Sequence, residues 1–120
     1  MEEQHRDDSL EGRLADAFRR SERRQALARE LLAGRLTLRE AAARSRALAE
    51  ADPDFRWYVF RQTYAGASDA ERHCRHMIAA VAEALRDRPA EAAEVVARLE
   101  AELQEHRKRD GTIRLPEPQR

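Results

Sequence analysis

Cys74-Arg75-His76-Met77-Ile78-Ala79-Ala80-Val81-Ala82-Glu83-Ala84-Leu85 is the stretch that decides the fold. Cys74, Met77, Ile78, Val81 and Leu85 fall at i, i+3, i+4, i+7 and i+11. That spacing is one face of an α-helix and cannot be one face of a strand. Ser68-Asp69-Ala70-Glu71 ahead of it has the form of a capping box, so the helix is read over 69–87. Such a face needs a partner, and one follows at once. After Asp87-Arg88-Pro89, residues Ala92, Val96, Leu99, Leu103 and His106 are spaced 4, 3, 4, 3 along a helix over 90–109. Glu94 and Arg98, and Glu105 and Arg109, flank this seam at i,i+4. The short turn opened by proline makes the two helices an antiparallel hairpin.

Working toward the N-terminus, the punctuation marks three more helices. Gly34, Gly66 and Gly111 each follow a helical pattern, where a left-handed C-terminal cap is expected. Pro53 is read as opening a helix, and Thr37-Leu38-Arg39-Glu40 as a second capping box. The pattern gives helices over 10–33, 38–51 and 54–65. The first of these has two stripes, Leu10/Leu14/Phe18 and Leu27/Ala28/Leu31/Leu32. The polar run Arg19-Arg20-Ser21-Glu22-Arg23-Arg24-Gln25 lies between them, so this is one helix with a solvated middle or two helices. Residues 1–9 read as an acidic, frayed N-terminus, 10–111 as a single helical domain, and 112–120 as an extended tail. The fold class is therefore all-α, a small irregular bundle of four to five helices ending in the hairpin.

Composition agrees and narrows the function. The 120 residues are 38% charged, yet Lys+Arg and Asp+Glu are each 23, for a net charge of zero. There are 23 alanines against 21 Leu, Ile, Val and Phe together, a thin core for the length. Twenty-two of the 23 basic residues are arginine, which with the alanine excess reads as the coding bias of a GC-rich bacterium. Zero net charge argues against nucleic acid as partner. The longest apolar run, Met77 to Ala82, falls far short of the ~20 residues that cross a bilayer, so no membrane partner is expected. With no basic and apolar leader pattern at Met1 and a single cysteine, the expected location is the cytoplasm.

Candidate chemistry is sparse. His73-Cys74-Arg75-His76 has zinc-ligand types, but at about 100° per residue Cys74 and His76 point about 160° apart. Cys74 is read as a small core residue and His76 as solvated, with no metal and no other cofactor. Glu-x-x-His occurs only at Glu2 and His5, and neither a Gly-x-Ser-x-Gly nor a glycine-rich phosphate loop is present. The expectation is a protein without catalytic residues.

Five of the six aromatic residues lie in Phe55-Arg56-Trp57-Tyr58-Val59-Phe60-Arg61-Gln62-Thr63-Tyr64. On a helix, Phe55, Tyr58 and Val59 share one side, and Trp57, Phe60, Arg61 and Tyr64 the other. One face suffices to dock the helix. The second, with Trp, Phe, Tyr and Arg, has the composition of an interface hot spot. Trp57, Phe60, Arg61 and Tyr64 are the expected partner-binding residues, for a protein partner or for a second copy. A homodimer is the expected assembly, since a partner chain completes a thin core and the charge-flanked 92–106 seam suits helix pairing.

Leu36-Thr37-Leu38-Arg39-Glu40-Ala41-Ala42-Ala43-Arg44 resembles the opening of excisionase-like and other winged helix-turn-helix domains, where Leu-Thr-x-x-Glu-Ala-Ala begins the first helix. The resemblance covers nine residues and implies an alternative function, a DNA-binding regulator using residues 37–64. The sequence departs from that pattern where the helix runs on through Ser45–Glu50 and where aromatics replace base-reading polar residues. The function read first is a non-catalytic interaction or regulatory module.

Overall fold

The computed structural model describes residues 10–117. The N-terminal segment 1–9, expected to fray, lies outside the described residues, as do 118–120 of the tail. Five helices follow one another: α1 (Leu10–Leu32), α2 (Leu38–Glu50), α3 (Trp57–Thr63), α4 (Asp69–Ala84) and α5 (Pro89–Asp110). No strand occurs among the described residues, and the architecture is the all-α irregular bundle expected.

α4 is its axis. It packs against each of the other four helices, and its face of Cys74, Met77, Ile78 and Val81 is buried. Leu27, Ala28 and Leu31 of α1, Leu38, Ala41 and Ala42 of α2, and Leu99 and Leu103 of α5 complete the core. The alanines explain how so few bulky residues suffice. Ala41 and Ala42 are fully buried, and small side chains let α2 approach α4 closely, so there is less volume to fill.

α4 and α5 form the antiparallel hairpin. Arg75 pairs with Glu100 at 3.3 Å and Glu71 with Arg107 at 3.8 Å, so earlier residues of one helix meet later residues of the other. Pro89 is at the start of α5 and Gly111, at φ 74°, caps its end. The 92–106 seam is spent inside the chain. Leu99 and Leu103 are buried in the core, and Ala92 and Val96 pack against it. The seam is therefore not the surface through which a second copy would pair.

Several boundaries move, each for a local reason. α1 is one helix; most of its polar middle is exposed, but Arg20 pairs with Asp52 at 3.1 Å and half-buried Arg24 lies over the Phe55 ring. The Thr37 box forms as read: Glu40 N–H donates to Thr37 Oγ1, and Thr37 N–H to Glu40 Oε1. At Ser68 only half of it forms. Glu71 N–H donates to Ser68 Oγ, but the Glu71 carboxylate reaches one residue further, to Ala67 N–H at 3.4 Å. Gly66 is not left-handed; instead a β-carbon there would stand 3.2 Å from Glu71 and Arg72. Pro53 does not open a helix. Asp54 N–H donates to Asp52 Oδ1, a turn that delays α3 to Trp57 and leaves Phe55 ahead of it. Nor is 112–117 a detached tail: Ile113 is buried in the core, Leu115 packs beside it, and Arg39 donates to the Arg114 carbonyl.

Candidate functional site

α3 is a two-turn helix held between the Asp52 turn and Gly66; Tyr58 and Val59 lie away from Phe60, but Phe55, expected beside them, packs its ring against Trp57 and Phe60 at 4.7 and 5.4 Å, because it precedes the helix. The face that docks is the one expected to be free. Phe60 is 5% exposed, its ring 4.5 Å from that of His73. Trp57 is half-buried, edge-on to Phe60 and to His73. Tyr64 is half-buried and stacks on His76 at 4.9 Å. Phe60 is thereby withdrawn from the expected partner surface. Arg61 is exposed, but its guanidinium makes two hydrogen bonds to Asp69 and lies over the Trp57 ring. The free face of α3 is Tyr58, 76% exposed, and Val59, 43% exposed.

The partner of the aromatic face is a pair of histidines on α4. His76, expected to be solvated from its spacing to Cys74, is half-buried: Tyr64 stacks on its ring, which still borders the two grooves beside α1. His73 is fully buried, with Nδ1 3.5 Å from Ser45 Oγ. His73 Nε2 and His76 Nδ1 are buried without a hydrogen-bond partner. An imidazole so placed avoids charge. Burial, reinforced at His73 by His76 and at His76 by Arg24, pushes both down to about 4. Both rings are therefore neutral, apolar-packed wedges at neutral pH. Sequence reasoning missed this pair. The available signal was their i,i+3 spacing beside the core stripe of α4, on the side where a short aromatic helix must dock.

Ser45 and His73 have the residue types of a nucleophile and its base, but both are buried and the 3.5 Å separation is long. Cys74 is fully buried as well, and burial pushes its thiol up to about 12. Among the described residues no three of His, Cys, Asp and Glu gather as a metal-ligand set. A maleimide reagent is accordingly expected to leave Cys74 unlabelled in the native protein and to label it fully in denaturant. Rapid native labelling would show that the α4 core opens readily.

Two grooves flank α1. One, of about 360 Å³, lies between α1 and α3, with Val59 and Tyr64 among its walls and His76 reaching it. The other, of about 750 Å³, lies between α1 and the C-terminal half of α4, and His76 and Arg24 contribute to both. Beyond them, Leu10, Leu14 and Phe18 of α1 are 67%, 61% and 65% exposed. No described helix is long and apolar enough to cross a membrane. No known protein family, curated protein or solved structure matches the chain.

Proposed function

We propose that this protein is a non-catalytic interaction module that binds a protein partner along the α3 side of the bundle. The observation that carries the reading is the exposure of Tyr58 and Val59 beside an open groove. On this helix of seven residues Tyr58 and Val59 are the exposed large hydrophobics, and Val59 also lines the groove between α1 and α3. The surface keeps Arg61 and the edges of Trp57 and Tyr64, gains Tyr58 and Val59, and has Phe60 as the anchor beneath it. Fully buried His73 beneath Phe60 seats α3 on α4, which supports a helix that presents its other face for recognition.

The alternative, DNA binding through residues 37–64, would use α3 as the recognition helix. Its outer face then offers Tyr58, Val59, Gln62 and Thr63 to the groove. The test compares wild type with a Tyr58→Ala/Val59→Asp double variant. Affinity capture by the wild type should yield a partner that the double variant loses, with unchanged melting of the isolated protein. Neither should retain duplex DNA at low salt. Retention of DNA that falls steeply with added salt would overturn the proposal in favour of the helix-turn-helix alternative. Equal capture by both proteins would remove α3 from the interface.

A further inference from the structure

We propose that the seat of α3 is an acid-released latch: protonation of the His73/His76 pair lifts α3 off α4 while α1, α2, α4 and α5 stay folded. The consequence for a partner rests on the reading of α3 as the recognition helix; the release itself does not. α3 is poorly secured by its own backbone. It has seven residues, and Arg56 supplies no side-chain cap at its start. Phe60 is its one buried residue. What holds the helix down is ring on ring. Trp57 and Phe60 meet the His73 ring at 6.1 and 4.5 Å, and Phe60 and Tyr64 meet the His76 ring at 6.0 and 4.9 Å. The attachment of this helix therefore runs over two side chains that can take up a proton.

The seat has no place for that proton. His73 Nε2 and His76 Nδ1 are buried without an acceptor, and Ser45 Oγ stands 3.5 Å from His73 Nδ1. Arg24 of α1 and Arg46 of α2 face His73 with positive charge, and α3 offers no carboxylate. Asp69 of α4 is near, but Arg61 and Arg72 already occupy its oxygens. Around His76 stand Arg24 and, across the two grooves, Asp52, Asp54 and Glu83; Asp52 and Glu83 are held by Arg20 and Arg86. An imidazolium in this seat must be reached by water. One route opens the α4 core around Cys74 and Met77. The other raises a two-turn helix whose Tyr58 and Val59 face is already in solvent. The second exposes far less apolar surface, so the opening is local. With both rings at about 4 when closed and at the ordinary 6.5 when open, the opening equilibrium of α3 should rise between pH 7 and 5 by about twentyfold for one ring and several hundredfold for both.

Amide hydrogen exchange of the full chain at pH 7, 6 and 5, corrected for intrinsic rates, reads this opening. The Phe60 and Tyr64 amides, bonded to the Arg56 and Phe60 carbonyls, should lose protection by those factors. Residues 74–85 should stay more protected than α3 at pH 5, with helicity by circular dichroism nearly retained and the emission of Trp57 shifted to the red. His73→Phe and His76→Phe keep a ring and remove the proton, so each should take away one ring's share of the pH dependence. His76→Phe carries the test should His73→Phe fail to fold. One common opening of α3 and α4 at pH 5 would show global unfolding and overturn the proposal. So would an α3 as unprotected at pH 7 as an open chain, a protection that does not change with pH, or a pH dependence that survives in the folded variants. Exchange is read on the isolated protein. Failure to capture a partner at any pH would count against the α3 surface and leave the latch standing, and flat exchange would sink the latch and leave that surface standing.

Discussion

Acidification from pH 6.5 toward 4 is expected to destabilise the protein by roughly 1.4 kcal/mol per pH unit for each of His73 and His76. The sign follows from which state holds the proton. Both imidazoles sit at about 4 in the folded chain and at the ordinary 6.5 when it unfolds. Between those values the unfolded chain binds the extra protons, so stability is fully present above 6.5 and is lost as the pH falls. The cause is local. The rings are buried under Phe60, Trp57 and Tyr64, and Arg24 from α1 and Arg46 from α2 add positive charge, against which only Asp69 pulls the other way at His73. The paired carboxylate beside them acts in a different window. Asp69, held below its usual 3.8 by the Arg61 hydrogen bonds, loses its contribution only at lower pH. Urea melts at several pH values check this. The wild-type midpoint should fall through the window, and a His73→Leu/His76→Leu variant should flatten the dependence. A midpoint constant between pH 6.5 and 4 would mean that the histidines reach water.

Leu99→Ala is expected to remove about 2–5 kcal/mol of folding stability, a large share of what a domain of this size holds. Leu99 is 2% exposed in α5 and is part of the single core that α4 organises. An alanine-rich core has few bulky side chains to collapse into the space left behind, which places the loss toward the upper end of that range. The comparison is a pair of denaturant melts with equal slopes. A loss under half a kcal/mol would show that the α4–α5 hairpin is held by its ion pairs and not by its seam. That is an unexpected outcome for a partly solvated pair such as Arg75–Glu100.

The fold was legible where one periodicity was unopposed. α4 carries five apolar positions on one face and charge elsewhere, so its existence, its buried face and its hairpin with α5 followed from spacing alone. The Thr37 box was equally plain, because both of its hydrogen bonds are local. The sequence was ambiguous where two faces compete. α3 has aromatics on both sides, and nothing within 54–65 says which side docks. That is decided by His73 and His76 on another helix, against whose rings Trp57, Phe60 and Tyr64 pack. Pro53 misled for a related reason: the Asp52 side chain, not the proline, governs the turn. The Ile113 anchor was hidden because a single apolar residue after a glycine cap has no period to read. The stripe at Leu10, Leu14 and Phe18 was visible from the start, and so was its phase relative to Leu27 and Leu31. What the bundle added was the direction in which the core lies, and with it the fact that this stripe is left outside.

The orientation of α3 is the hinge of the functional reading, and one measurement tests it most directly: the unfolding free energies of Phe60→Ala and Tyr58→Ala, measured side by side. With Phe60 wedged on His73 and Tyr58 outside, Phe60→Ala should lose about 3–5 kcal/mol and Tyr58→Ala less than about half a kcal/mol. The reverse order would show that the Tyr58 and Val59 face is the one that docks, and equal losses of several kcal/mol that both faces are buried; either would make the surface proposed for a partner core.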